Sequence, residues 1–271
     1  MALRKVAELI SSFTDIKSQF PPLLFVHCAW HAVWCWNENF LPFFSERGYN
    51  YYALSFRSHG NSPKKGILRV TGIKHYVKDI ATVIESLPST PVIIGHSMGG
   101  LVVKRYVQKY GASAMVLLAS VPPTGVFRTI LRTALHHPLA FLKVNLFLSL
   151  YPAVSPVKLA REMLFYEALT EEKVTEYSSK LQDESYRAYI DMMTVPLRQP
   201  KNRGIPTLVL GAEKDRIFTP GQVQATARRF KAETQIFPLM GHDMMLDNGR
   251  QVVADTIDKW MNNTFAAPVR S

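Results

Sequence analysis

The run Gly95-His96-Ser97-Met98-Gly99-Gly100 sits directly after the apolar segment Pro91-Val92-Ile93-Ile94 and directly before Leu101-Val102-Val103-Lys104-Arg105-Tyr106-Val107. The β-branched segment reads as a buried strand and the segment after it as a helix. Ser97 then falls on the sharp turn between them. Such a turn crowds the backbone against its neighbours, so sterics demand glycine at 95 and 99, and the serine hydroxyl is pushed out at the carboxyl end of the sheet. The helix N-terminus behind it favours developing negative charge. A chain with this feature is constrained to a sheet whose strands feed flanking helices, and Ser97 is the expected nucleophile.

A serine hydroxyl is a poor nucleophile at neutral pH and needs a histidine base with a carboxylate to orient it, in the chain order Ser, Asp/Glu, His. The strand-like Pro206-Thr207-Leu208-Val209-Leu210-Gly211 runs into Ala212-Glu213-Lys214-Asp215-Arg216, placing Asp215 just past a strand's carboxyl end. Asp215 is the expected acid. A further strand-like run, Thr234 to Leu239, leads through Met240-Gly241 to His242, the expected base. Ligands gather at the carboxyl ends of strands in open α/β sheets, where all three side chains arrive. Glu213, nearer the strand, and Asp243, directly after the base, compete with Asp215 for the acid role.

Acyl transfer also needs backbone donors aimed at the oxyanion, from the residue after the nucleophile and from a loop after an early strand. Met98 supplies the first N–H. The second follows the apolar Leu23-Leu24-Phe25-Val26, in His27-Cys28-Ala29-Trp30-His31; Ala29 is the choice and Cys28 the fallback. Cys28, Trp30, His31 and His96 are expected around the substrate pocket. His27 and His31 are four apart, a spacing that pairs ligands on a helix, but this stretch reads as strand then loop, so no metal is expected.

These motifs together resemble the α/β-hydrolase superfamily. His27-Cys28-Ala29-Trp30-His31-Ala32-Val33-Trp34-Cys35-Trp36 is similar to the opening motif of plant methyl esterases and hydroxynitrile lyases, roughly His-Gly-x-x-His-Gly-x-Trp-x-Trp. There the second residue after the first histidine donates an oxyanion N–H, which carries onto Ala29. Ser55-Phe56-Arg57-Ser58-His59-Gly60-Asn61-Ser62 resembles the superfamily's Asp-x-Arg-Gly-His-Gly-x-Ser loop. The departures matter for mechanism. Cys28 replaces the usual glycine and would narrow the site, and the lyases' lysine after the catalytic histidine is here Asp243, which argues against cyanohydrin cleavage.

The expected fold is α/β: a mostly parallel sheet flanked by helices, with a helical cap insertion. Strand-like and helix-like runs alternate at Tyr51–Phe56, Ile73–Leu87, Val92–Ile94 and Met115–Ala119. Residues 1–123 and 201–271 form the expected core and 124–200 the cap, opened by Val121-Pro122-Pro123 and closed by Pro196 and Pro200. In the cap Phe127, Ile130, Leu131, Leu135, Leu139, Phe141, Leu142, Leu146, Phe147, Leu148, Leu150 and Tyr151 are apolar. Most are expected to pack the cap on the core, with some lining an acyl or alkyl pocket.

With 271 residues, 47% hydrophobic and 20% charged, the chain can bury one sheet-centred core and is not disordered. The formal charge of +11 is spread along the chain rather than gathered into an arm, which argues against nucleic-acid binding. Arg128, Arg132, Lys143, Lys158 and Arg161 would draw in anionic amphiphiles or a phospholipid surface, against the plainer reading of a basic soluble surface. Pro138, Lys143, Asn145 and Pro152 break the apolar stretch 134–154, so no transmembrane span is expected. Interspersed charges in Met1–Ile10 do not make a signal peptide, and two cysteines in one loop form no disulfide framework; the expected compartment is cytoplasmic. The implied activity is cofactor-free, metal-free hydrolysis of a small or lipid-like carboxylic ester. Alternatives are lysophospholipase or monoacylglycerol-lipase-like action, carbon–carbon bond hydrolysis, and non-catalytic ligand binding. The residues specify a reaction type and not a molecule.

Overall fold

Five runs, β2 (Leu23–Val26), β3 (Tyr51–Ser55), β4 (Val92–His96), β5 (Ala114–Leu118) and β6 (Thr207–Ala212), are buried at every position. Continuous apolar runs of this length fit strands covered on both faces, which is the situation of a parallel sheet. The computed structural model describes residues 7–13, 19–193 and 204–265. Met1–Val6 and the prolines 196 and 200 lie outside the described residues. The sheet has seven strands in the order β1-β3-β2-β4-β5-β6-β7, with β1 (Glu8–Ser12) antiparallel to β3 and all other pairs parallel. The mostly parallel α/β architecture is therefore as the sequence implied. At the far edge β7 (Glu233–Phe237) is largely exposed, as suits a strand paired on one side.

From β2 the chain moves outward to β3, whereas from β4 it moves the other way to β5. Crossovers between parallel strands are right-handed, so these opposite moves send the connecting helices to opposite faces and open a crevice between the ends of β2 and β4. Ala29 and Ser97 lie just past those two ends. The β2–β3 connection holds α1 (Trp34–Asn37) and α2 (Phe40–Glu46). The β3–β4 connection holds α3 (Ile73–Ile84), which packs on α4 (Met98–Tyr110). After β6, α10 (Pro220–Phe230) packs back on β6, and the closing helix α11 (Arg250–Phe265) meets α2 and β6.

Between β5 and β6 the alternation is interrupted, among the described residues, by five α-helices, α5 (Phe127–His136), α6 (Pro138–Phe147), α7 (Val157–Leu164), α8 (Glu171–Ser179) and α9 (Tyr186–Met193). Buried polar contacts join them to the core: His59 Nε2 meets Glu184 Oε2 at 3.1 Å, and Tyr76 donates its hydroxyl to Glu184 Oε1 at 2.6 Å. The expectation that most of the twelve apolar residues singled out between Phe127 and Tyr151 pack inward is corrected. Phe127, Leu131, Leu135, Leu139, Leu142, Leu146, Phe147, Leu148 and Tyr151 are exposed. No helix among the described residues is long and apolar enough to cross a membrane.

Candidate active site

Ser97 joins β4 to α4 at φ 50°, ψ −116°, a backbone state costly for any residue with a Cβ. Its neighbours hold it there: its N–H donates to Leu118 O at 2.9 Å, and its carbonyl accepts from Val121 N–H at 3.2 Å. A Cβ on Gly99 would stand 2.3 Å from His27 O and 2.6 Å from Val26 O. Glycine is thus what lets the first turn of α4 press against the end of β2, bringing Met98 beside Ala29. Met98 opens the helix, so its N–H has no intrahelical acceptor.

Asp215 and His242 come from the loops after β6 and β7 and meet one another, with His242 Nδ1 2.8 Å from Asp215 Oδ2. The other carboxylate oxygen accepts from the N–H groups of Ile217 at 2.7 Å and Phe218 at 2.9 Å, which orients it. Both side chains are buried, and the Phe218 ring stands edge-on to the imidazole. His96 Nε2–H donates to His242 O at 2.9 Å. Burial, followed by the nearby His242, pulls the His96 pKa down to about 3, so this support is a neutral ring. Of the three carboxylates left open by the sequence, Asp215 is the one hydrogen-bonded to His242. Glu213 is exposed and accepts from Leu239 N–H, while Asp243 turns to His31.

The loop after β2 is held by its two histidines. His27 donates Nδ1–H to Cys28 O at 2.7 Å and accepts at Nε2 from Phe56 N–H at 2.9 Å, a tautomer that requires a neutral ring. Burial lowers its pKa well below the ordinary value, in agreement. His31 Nδ1 lies 2.7 Å from Ala29 O and 3.0 Å from Cys28 Sγ, and its Nε2 lies 3.0 Å from Asp243 Oδ2. Burial works against charge on His31, yet Cys28 and Asp243 outweigh it and hold the pKa well above 6.5. For Asp243 burial opposes the charge too, and His31 overcomes it, leaving the carboxyl below its usual range. This buried ion pair ties the Ala29 loop to the residue after His242. Burial pushes the Cys28 thiol up. Trp30 takes φ 65°, donates Nε1–H to Leu150 O at 3.1 Å and accepts from Gln182 N–H at 2.9 Å, locking the loop to the inserted helices.

Two groups, Cys28 with His31 and Asp243, and His96 with His242 and Asp243, have ligand atoms within 4.8 Å of one another. Metal coordination would need a free imidazole lone pair. Both His31 nitrogens, His242 Nδ1 and His96 Nε2 are engaged as described, whereas His96 Nδ1 is buried without a hydrogen-bond partner among the described residues.

An apolar cavity of about 100 Å³ opens above Ser97. Ala29, Trp30, Met98 and Val121 line its floor, and α5 and α6 form a wall through Thr129, Ile130, Thr133, Ala140, Phe141 and Val144. Trp30 lines the pocket as expected from the sequence. Cys28, His31 and His96 do not; they are packed beneath it, consumed by the contacts above. A larger groove of about 820 Å³ between α3, α4 and α9 is open and charged, with Lys78, Arg105 and Asp191 on its walls, and holds none of these residues.

Sequence reasoning missed Lys104, a helix cation that turns out to be fully buried behind the Ser97 turn. Its Nζ donates to Ser120 Oγ at 3.0 Å and to Val121 O, the residue whose N–H holds Ser97 O. Burial, with help from Arg105, lowers its pKa to about 7.

Comparison with known proteins bears on the fold and the family. A non-heme haloperoxidase of Rhodococcus erythropolis is 38% identical over 92 residues, 32% of each chain, so the chain spans about a third of that relative's length in the match. A monoacylglycerol lipase of Mycolicibacterium smegmatis is 22% identical over 233 residues, 80% of each chain. Among solved structures, a putative non-heme bromoperoxidase of Mycobacterium tuberculosis superposes with TM-score 0.75 at 17% identity, covering 95% of this chain and 96% of that one. An esterase of Exiguobacterium antarcticum gives TM-score 0.72 at 18% identity, covering 94% of each. The alpha/beta hydrolase family model matches residues 23–256, from the first buried strand to the closing helix; with the crevice, the serine turn and the inserted helices in their places, the chain belongs to that family.

Proposed function

We propose that the chain is a carboxylic ester hydrolase working through an acyl-enzyme, with Ser97 as nucleophile, His242 as base and Asp215 as its orienting acid. The observation that carries this reading is the positive-φ Ser97 on the floor of an apolar cavity, with a carboxylate-held imidazole from two further strand ends. With Nδ1 engaged by Asp215, Nε2 of His242 is left to take the serine proton as Oγ bonds to the ester carbonyl carbon. The carbonyl electrons move to oxygen, where the Ala29 and Met98 N–H groups stabilise the oxyanion. Collapse expels the alkoxide, which leaves with the proton from His242. Water, deprotonated by the same histidine, then adds to the acyl group and frees the acid and the serine. On this reading residues 124–200 are the cap on a core formed by 1–123 and 201–271, and the cavity takes the apolar part of a small or lipid-like ester.

Hydrolysis of p-nitrophenyl esters of graded acyl length, beside Ser97→Ala and wild type treated with a fluorophosphonate, tests this. Turnover lost in both controls is the expected result. Absence of turnover together with absence of Ser97 labelling would overturn the nucleophile. A monoacylglycerol substrate is the second reading, favoured by the Mycolicibacterium smegmatis lipase, whose likeness runs over 80% of both chains. Higher kcat/KM on monoacylglycerols than on simple esters of equal acyl length would select it.

A further inference from the structure

Helix α6 is apolar on two opposite sides, whereas α5 has one apolar face, with Arg128, Thr129, Arg132, Thr133 and His136 on the other. The inner residues of both helices line the cavity over Ser97, while Phe127, Leu131 and Leu135 of α5 and Leu139, Leu142 and Leu146 of α6 point to solvent, each more than half exposed. The α5 residues are spaced four apart and the α6 residues three and four apart, so each set forms a stripe along its helix. Those six side chains present on the order of 700 Å² of apolar surface, whereas the largest apolar patch on a typical monomer is about 300–600 Å². A helix with apolar groups all round belongs in an apolar medium, not between a protein core and water.

The charge of this segment is mostly basic, with Glu162 paired to His137 at the junction of α5 and α6. Residues 124–161 hold five basic side chains, Arg128, Arg132, Lys143, Lys158 and Arg161, and no Asp or Glu. Arg128, Lys143 and Lys158 are exposed. Apolar stripes rimmed by cations fit an interface where hydrocarbon lies next to anionic head groups, with the apolar side chains sinking below the head groups.

We propose that the outer face of α5 and α6 docks the protein on anionic phospholipid bilayers. The wall of the cavity then lies in the lipid interface, with one side toward the acyl chains of the bilayer and the other toward Ser97. Docking stands on the exposed face alone; its use in gathering lipid-like substrate rests on the ester hydrolase reading.

The test is flotation of the full-length protein with vesicles of phosphatidylcholine alone and of phosphatidylcholine with phosphatidylglycerol. Wild type and Ser97→Ala are expected to float equally with the anionic vesicles, which separates docking from catalysis. The double variant Leu139→Glu/Leu142→Glu, at exposed positions outside the cavity lining, is expected to lose at least tenfold in bound fraction while keeping its melting temperature and its hydrolysis of a soluble short-chain ester. Arg128→Ala/Lys143→Ala/Lys158→Ala is expected to lose the preference for phosphatidylglycerol, as is wild type in high salt. Flotation of the Leu139/Leu142 variant at the wild-type level would overturn the proposal. So would wild type that ignores vesicles, or a self-associated wild type made monomeric by the same double variant without any vesicle binding, which would assign the face to a second copy of the chain.

Discussion

Lys104 is buried behind the Ser97 turn with oxygen acceptors and, among the described residues, no carboxylate partner, and its lowered pKa predicts a folding stability that rises with pH. In the unfolded chain its pKa is the ordinary 10.5, and in the folded protein burial lowers it to about 7. The unfolded state therefore binds more protons between these values, and stability increases with pH across that window. Below pH 7 the protein carries the full cost, about 5 kcal/mol relative to a neutral lysine, and between pH 7 and pH 9 it recovers about 2 kcal/mol. Lys104→Met removes the titration. It also leaves Ser120 Oγ and Val121 O without their donor, a loss of about 1–3 kcal/mol that does not depend on pH. The quantity to measure is the difference in unfolding free energy between wild type and variant, by urea titration followed through tryptophan fluorescence at pH 7, 8 and 9. Titrations shared by both proteins, such as those of His31 and His59, cancel in that difference. It should shift toward wild type by about 2 kcal/mol from pH 7 to 9, or about 4–8 °C in Tm. The exposed Lys109→Met serves as control and should run parallel to wild type. A wild-type minus Lys104→Met difference that stays constant over the range would refute the reasoning.

Two further outcomes follow from the site. Asp215→Asn keeps the size of the side chain but removes the charge that supports an imidazolium at His242; kcat should fall by about 10³–10⁴-fold with little change in melting temperature, read in steady-state kinetics beside a thermal melt. Asp243→Leu leaves His31 buried without its partner and should cost about 3–5 kcal/mol. Because the folded pKa of His31 is raised, the stability it draws from Asp243 is present below 6.5 and lost as pH rises through the folded value, so the Tm gap to wild type should be wider at pH 5.5 than at pH 9.

What was legible in the sequence was what local pattern controls. Continuous apolar runs marked the central strands, and glycines around Ser97 marked a turn that few other residues can make, so Ser97 and His242 could be proposed from their distance past strand ends. The choice among Asp215, Glu213 and Asp243 was not legible, because it depends on which way each loop turns after its strand. In the structure Asp215 contacts His242 and its Oδ1 takes two backbone donors, while Asp243 faces a histidine 212 positions away in the chain. Lys104 looked like any cation on an amphipathic helix, since nothing local shows that its side of α4 is covered by the segment at Ser120 and Val121. The inserted helices misled for a related reason. Their apolar residues are abundant enough to suggest inward packing, but α5 turns its apolar face outward and α6 is apolar on more sides than the core can cover.

The all-round apolar character of α6 also bears on how the cavity keeps its shape. An amphipathic helix is held at one azimuth, because turning it would drag polar groups inward. Helix α6 has little such restraint: a turn about its axis would exchange Phe141 and Val144 for leucines of similar volume. Its angular setting depends instead on a polar latch, Asn145, which accepts from the Tyr186 hydroxyl at 2.9 Å and donates to Phe141 O at 2.7 Å. On the ester hydrolase reading, selectivity for the apolar part of the substrate would depend on that hydrogen bond as much as on the side chains that line the cavity.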